Sequence, residues 1–252
     1  SSRSVYGEGS YYREFCDNEF SGTRSVADIQ QQKFGVHCSD CDTLATPLAT
    51  KETASTNSVS QYALTKICSE NAIKLALQPT GIKYCNLRFQ NVYGSGQSLE
   101  NPYTGVLGVF AFLAIKDLPI SVYEGGYLER DFVHVDDVVR ILCLALIKKE
   151  LPPILNVGVG KAIKLLDVAH LIKNHYQSMS EINITNDYRI GDISINFADL
   201  ALFFELFPDF QFAEFDTEIA NYLNWVRTSG GLDIDKFHKS LTELKSRGFM
   251  SS

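Results

Sequence analysis

The sequence predicts an α/β protein, on three observations. From about residue 60 onward, short apolar runs that read as strands alternate with longer segments that read as helices. The helical segments carry apolar residues at helical spacing, and the strand segments close on glycine-rich turns. Such alternation builds a parallel sheet, because parallel neighbours need a long crossover that a helix supplies. The chain has 252 residues, of which 45% are hydrophobic and 21% charged. That suffices for one large domain, or for a domain with an attached lobe. A net charge of −7 argues against a sequence-independent nucleic-acid binder, which needs a basic face. Small anionic ligands need only a few placed arginines. No apolar run approaches the roughly 20 residues of a membrane span. The opening Ser1-Ser2-Arg3-Ser4-Val5-Tyr6-Gly7 has no signal-peptide pattern. No membrane partner and a cytoplasmic location are expected.

Residues 1–57 are polar and weakly periodic, and read as loops apart from a short helix over 25–33. A buried helix is expected over 60–77, closed by Pro79-Thr80-Gly81. Residues 83–89 read as a strand running into the loop 90–96. Residues 106–115 are apolar enough for a buried helix, and 119–123 form a short strand ended by Glu124-Gly125-Gly126. Phe132-Val133-His134-Val135 is another strand. Asp136 and Asp137 then cap a helix over 138–148, with acids at its positive end and Val139, Leu142, Cys143 and Leu146 as its interior. Residues 152–158 give a strand, and 165–176 a helix capped near Leu165-Leu166-Asp167. From Ser178 a smaller mixed lobe ends in helices over 217–228 and 234–247.

Chemistry enters at the start of the helix over 60–77. Tyr62 and Lys66 stand four apart, so they lie one turn above another on one face. An ammonium beside a phenol favours the phenolate, which makes Tyr62 a usable general base or acid. Alone, the same spacing also fits a packed and solvated face. Six cysteines (Cys16, Cys38, Cys41, Cys68, Cys85 and Cys143) do not look like a secreted disulfide framework. Cys68, Cys85 and Cys143 sit in apolar runs as small buried hydrophobes. Cys38-Ser39-Asp40-Cys41 offers two thiolates at a tight turn, half of a tetrahedral zinc site to which Cys16 could add a third ligand. Reduced loop cysteines or a redox pair would carry the same pattern.

Five stretches, in this order, give the chain its resemblance: Ser1 to Gly7; Tyr62 with Lys66; Leu87-Arg88-Phe89-Gln90-Asn91-Val92-Tyr93-Gly94; Arg130-Asp131-Phe132-Val133-His134-Val135-Asp136-Asp137; and Arg189-Ile190-Gly191-Asp192 with Phe197-Ala198-Asp199. The chain resembles the extended short-chain dehydrogenase/reductase family, in particular the epimerases and dehydratases of nucleotide-diphosphate sugars. The segment 97–105 and the cysteine-bearing insertion are most similar to the dTDP-L-rhamnose 4-epimerase type. The resemblance implies a partial Rossmann-type domain over 1–177, with an insertion over about 10–57 and sugar-nucleotide lobe segments over about 91–131. A substrate-binding lobe follows over 178–252.

It also implies NAD as cofactor and a dTDP- or UDP-hexose as substrate, epimerised by transient oxidation to a keto-sugar. Ser2 would hydrogen-bond the reacting sugar oxygen. Tyr62 would exchange its proton, and Lys66 would hold the cofactor ribose. Asn91 would contact the sugar nucleotide, with Val122 and Tyr123 lining the base pocket. Arg130 and Arg189 would grip the diphosphate, and Asp192 would accept from the ribose. Packing on a half-buried strand remains open for Val122 and Tyr123, as do surface ion pairs of Arg130 with Glu129 or Asp131 and of Arg189 with Asp187. His134 and Asp136 are expected to brace a turn. A homodimer is implied through the helix bearing Tyr62. A 4,6-dehydratase is the alternative chemistry, although Arg3-Ser4 stands where a dehydratase would carry acids.

The family opens with a strand, a turn of the form Gly-x-x-Gly-x-x-Gly and a helix that seats the dinucleotide pyrophosphate. Gly7-x-Gly9, Gly94-x-Gly96 and Gly158-x-Gly160 lack the third glycine. The resemblance thus places Ser1 after the family's fifth strand. This chain is expected to be a fragment inactive alone, a split-gene product or a non-catalytic sugar-nucleotide-binding or dimerising remnant.

Overall fold

The computed structural model describes residues 1–14, 17–99, 105–229, 239, 242–243 and 245–251. A 3-10 turn (Arg3–Tyr6) leads to β1 (Ser10–Arg13), β2 (Asn18–Ser21), α1 (Val26–Gln30), β3 (Thr46–Leu48), α2 (Gln61–Leu77), β4 (Asn86–Phe89) and β5 (Asn91–Tyr93). Next come α3 (Val106–Ile115), β6 (Ile120–Val122), a second 3-10 turn (Glu124–Gly126), β7 (Glu129–His134), α4 (Val135–Ile147), β8 (Ile154–Val157) and β9 (Ala162–Lys164). The described elements end with α5 (Leu165–Tyr176), β10 (Ile182–Ile184), α6 (Ala201–Leu206) and α7 (Phe215–Thr228). The α/β class with parallel pairing is as expected, and α3 and α5 keep their expected bounds. The helix expected over 234–247 lies largely outside the described residues.

The chain divides into two compact units, each built from three stretches. The first unit is Ser1–Val92, Glu129–Ala162 and Gly191–Phe212, and the second is Tyr93–Leu128, Ile163–Ile190 and Ala213–Ser252. The boundary expected at 177 falls within the second unit's stretch Ile163–Ile190.

In the first unit β4 runs parallel to β8, with Leu87 opposite Leu155 and Phe89 opposite Val157. Both strands lay apolar side chains into a core with Val133, Val138, Ile141, Phe203 and Phe207. Residues 1–57 are not loops throughout. The strands β2, β1 and β3 form an antiparallel sheet in that order, over a small core of Tyr11, Val36 and Ala45. Tyr11 is 2% exposed and the other buried residue of β1 is a serine, Ser10, so the apolar signal rests on too few residues to show as periodicity. The short helix expected over 25–33 is present as α1, capped by Ser25, whose hydroxyl accepts from Asp28 N–H.

The helix α4 corrects two expectations. His134 is its cap, Nδ1 accepting from Asp136 N–H at 3.3 Å, so the helix starts three residues early and the acids fall in its first turn. Its buried residues are Asp137, Val138 and Ile141. Val139, Leu142, Cys143 and Leu146, expected inside, are exposed. Apolar residues surround this helix, and spacing alone picks the wrong face. Cys68 is likewise exposed and Cys85 half-buried, with burial pushing the Cys85 thiol up to about 11.

In the second unit β10 pairs in parallel with β6, Ile182 opposite Ile120. Apolar almost throughout, α3 buries Leu107, Phe110, Ala111, Phe112 and Ala114 and packs on α5 and α7. Tyr176 of α5 donates its hydroxyl to the Leu223 carbonyl of α7 at 2.6 Å. Among the described residues no helix is long and apolar enough to cross a membrane.

Candidate functional site

Ser60 caps α2, its hydroxyl accepting from Ala63 N–H at 3.2 Å. Gly191 backs onto the approach to this cap: its φ is +89°, and a Cβ there would lie 3.0 Å from the Val59 carbonyl oxygen. Tyr62 and Lys66 then occupy one face of the helix, with Lys66 Nζ 5.2 Å from the Tyr62 ring centroid. The helix is not buried as expected. Tyr62 is 56% exposed, and only Ala63 and Glu70 of α2 are buried. Leu64, Ile73 and Leu75 also face outward.

A buried network that sequence reasoning missed holds α2 in place. Arg88 of β4 forms a fork-on-fork pair with Glu70, Nε to Oε1 at 2.9 Å and Nη2 to Oε2 at 2.7 Å. Its guanidinium lies 4.6 Å from the Tyr6 ring centroid, and the Tyr6 hydroxyl donates to Asn156 Oδ1 at 2.7 Å. Burial pushes the Glu70 carboxyl up, but the Arg88 and Ser1 hydrogen bonds outweigh it and hold the group below its ordinary value. Burial pushes the Tyr6 phenol up to about 12, against the pull of Arg88. One signal was available: Glu70 stands one turn beyond Lys66, and Arg88 lies in the quoted stretch that includes Asn91.

Ser2 caps the first 3-10 turn and bridges to Phe89 at the end of β4. Its Oγ accepts from Ser4 N–H at 3.2 Å and from the Ser4 hydroxyl at 3.1 Å. The Ser2 proton is thereby left to donate outward. This turn packs against α2, which brings the Ser2 and Tyr62 elements together. Arg3, beside Ser2, is buried with Nη1 lacking a partner among the described residues. Burial first, and then the Arg130 guanidinium, push it down to about 9.

Arg130 is 7% exposed, and its Nη1 donates to the carbonyls of Glu129 (2.7 Å) and Ser194 (3.0 Å). Asp131, fully buried, accepts from the N–H groups of Val159 (2.8 Å), Gly160 (3.0 Å) and Ala198 (3.1 Å). Burial nonetheless pushes that carboxyl above its ordinary range. Asp131 explains one glycine pair, because a Cβ on Gly158 would lie 2.6 Å from its Oδ2. Gly7 and Gly9 are closed in the same way, by Asn57 O at 2.8 Å and by Asn196 Nδ2 at 2.3 Å. These glycines make room for the protein's own atoms. Asp192 offers its carbonyl to Arg24 Nη2 at 2.7 Å, in a segment tied down by the buried Arg24–Glu8 pair. The Asn91 Oδ1 is buried without a hydrogen-bond partner among the described residues.

In the second unit Arg189 lies 5.5 Å from the Tyr123 ring centroid. Its Nε is buried without a hydrogen-bond partner among the described residues. Val122 is 1% exposed and packs in the core, so the pocket role expected of it gives way to packing.

Among the described residues no three His, Cys, Asp or Glu side chains come together as a metal site. Cys16 lies outside the described residues. Cys38 Sγ instead takes Arg13 Nη1 at 3.2 Å and Asp40 N–H at 3.3 Å. With Arg13 on the Cys38 sulfur, the described residues give the zinc expectation no support. The Arg13 hydrogen bond, working against burial and joined by N–H groups of the turn, pulls the Cys38 thiol down to about 7.

The sequence profile of the NAD dependent epimerase/dehydratase family matches residues 4–158. Over 202 residues the chain is 32% identical to the dTDP-L-rhamnose 4-epimerase of Burkholderia thailandensis, covering 80% of this chain and 54% of that protein. It therefore spans about half the length of that curated relative. The UDP-N-acetylglucosamine 4-epimerase of Methanobrevibacter ruminantium, in complex with UDP-N-acetylmuramic acid, shares the fold at a TM-score of 0.68 and 22% identity, over 91% of this chain and 62% of that one. The UDP-glucose 4-epimerase of Thermus thermophilus, in complex with NAD, matches at a TM-score of 0.61 and 25% identity, over 77% of this chain and 60% of that one. With the ordered stretches and the parallel α/β frame, these matches place the chain in the NAD dependent epimerase/dehydratase family.

Proposed function

We propose that this protein is an NAD-dependent epimerase of a nucleotide-diphosphate hexose carrying dTDP or UDP. The reading is carried by the Tyr62–Lys66 pair, exposed together on α2 in a chain of this family. NAD, when bound, supplies a hydride acceptor that later returns the hydride. The ammonium and phenol suit the hydroxyls of the nicotinamide ribose, so Lys66 and Tyr62 would hold that end. Tyr62 takes the proton from a sugar hydroxyl while the carbon beneath is oxidised, and gives it back after the keto-sugar has turned over. Lys66 stabilises the phenolate through that interval. The outward Ser2 hydroxyl donates to the same sugar oxygen.

Arg130 of the first unit and Arg189 of the second are each assigned to phosphate, for which a planar fork can form two charge-assisted bonds. The partnerless Nε of Arg189 and Oδ1 of Asn91 support roles for both in holding the sugar nucleotide. Tyr123, under the Arg189 guanidinium, is assigned to the base, and Asp192 to the ribose. The outward Leu64, Ile73 and Leu75 of α2 support pairing with a second copy through this helix.

A second reading, in which this chain alone binds the sugar nucleotide without turnover, is favoured by the closure of Gly7, Gly9 and Gly158 by protein atoms. The test incubates the protein with NAD and dTDP- or UDP-hexoses and follows the sugar by NMR, with calorimetry of NAD alongside. Inversion at C4 supports the epimerase. A 4-keto-6-deoxy product assigns a dehydratase instead, and nucleotide-sugar binding without NAD binding or turnover assigns the second reading.

A further inference from the structure

The thiol pair Cys38 and Cys41 in the insertion is free and is not used by the proposed epimerase. Cys38 opens a turn in which Asp42 N–H donates to the Cys38 carbonyl and Cys38 N–H to the Thr43 carbonyl, each at 2.9 Å. The bridge between His37 and Leu44 closes the hairpin behind it. The Asp42-to-Cys38 bond closes an α-turn, one helical turn not continued, in which residues three apart lie about 5 Å apart between Cα atoms, and a disulfide needs roughly 4.4–6.8 Å. The Cys41 Sγ lies on the same turn, 3.0 Å from the Thr43 hydroxyl. The two cysteines differ in access, since Cys38 is 2% exposed and Cys41 is exposed. Arg13 Nη1 at 3.2 Å and Asp40 N–H at 3.3 Å stabilise negative charge on Cys38 Sγ, the setting of a reactive thiolate.

We propose that Cys38 and Cys41 form a reversible disulfide with a low-molecular-weight disulfide as oxidant, exposed Cys41 meeting the oxidant and buried Cys38 resolving the adduct. The Cys41 thiolate attacks one sulfur of the oxidant. An S–S bond forms to Cys41, the oxidant's own S–S bond breaks, and one small thiolate leaves and takes up the Cys41 proton. Cys38 Sγ then attacks Cys41 Sγ. The Cys38–Cys41 bond forms, the mixed disulfide breaks, and the second small thiolate leaves with the Cys38 proton. Two cysteine sulfurs are oxidised by two electrons in all, and one small disulfide is reduced to two thiols. Closure removes the negative charge on Cys38 Sγ, leaves Arg13 of β1 paired with the Asp40 carboxylate, and pins the turn that this pair ties to β1.

Glutathione disulfide serves as the probe. The reduced protein is treated with it, quenched by alkylation and mapped by peptide mass spectrometry. The expected product is a Cys38–Cys41 disulfide, while exposed Cys68 and Cys143 carry glutathione. In Cys38→Ser the Cys41–glutathione adduct should persist at least about tenfold longer than in the wild type, because its resolving thiol is gone. The proposal is overturned if the adduct on Cys41 lasts equally long in both proteins. It is also overturned if wild-type Cys38 stays open to alkylation after oxidation, or if Cys38 links to another cysteine. The wild-type map alone decides if the variant does not fold, and none of these outcomes depends on epimerase activity.

Discussion

Glu70 and Arg88 tie the helix that carries Tyr62 to β4, and neither was assigned a role from sequence. The i,i+4 pair of Tyr62 and Lys66 was legible because helical geometry alone fixes which side chains share a face. The Glu70–Arg88 pair joins a helix to a strand, and nothing in local spacing reports such a contact. With side chains 10% and 3% exposed, the pair lies in the range where removing one partner costs about 3–5 kcal/mol. Glu70→Gln should destabilise the protein by about 3 kcal/mol in urea titration. The pH dependence has a definite sign. The folded carboxyl is held below its ordinary value of 4.5, so the pair's contribution is complete above that value and is lost as pH falls through the folded one. The variant should therefore show a flatter acid limb than the wild type. Equal stability at neutral pH would remove Glu70 from this role.

Elements with one clear apolar face, such as α5, or with almost no polar residue, such as α3, were read to their ends. The strands β1 to β3 were missed because their inner face amounts to little more than Tyr11, and α4 was turned the wrong way because its apolar residues run round it. The pair Gly158 and Gly160 lacks the third glycine of a pyrophosphate turn, and the structure gives the first of them to the Asp131 carboxylate. This has a direct consequence for β8 and the turn after it. Gly158→Ala places a methyl 2.6 Å from Asp131 Oδ2 and 2.5 Å from Gln90 Cγ. Both neighbours are buried, so the strain should cost about 1–3 kcal/mol and lower the melting temperature accordingly. An unchanged melting temperature would mean that the carboxylate moves aside freely.

At the scale of the whole molecule, the order of the five stretches made the family legible, because order along the chain survives even where contacts cannot be foreseen. The interleaving of the two units was not legible, since the segments 93–128 and 163–190 read like the elements around them. If a second copy pairs through α2, Leu75→Asp, at a position 69% exposed, should shift sedimentation toward the monomer. An unchanged sedimentation profile would place the pairing elsewhere. Arg130→Ala and Arg189→Ala should each weaken dTDP or UDP binding at least about tenfold, near 1.4 kcal/mol. Arg247→Ala serves as the control, since Arg247 is exposed and its ion pair among the described residues is with exposed Glu243. Arg227 is a poor control because it packs 4.8 Å from the Tyr176 ring centroid. Two arginine variants that bind as tightly as the control would move the diphosphate site elsewhere.

The proton transfer assigned to Tyr62 is the central claim, and steady-state turnover of Tyr62→Phe tests it most directly. The variant keeps the ring that lies beside Lys66 and removes only the hydroxyl. With NAD and the dTDP- or UDP-hexose that the wild type converts, kcat should fall at least about a hundredfold, while nucleotide-sugar affinity by calorimetry stays within about twofold. Turnover at the wild-type rate would contradict the account.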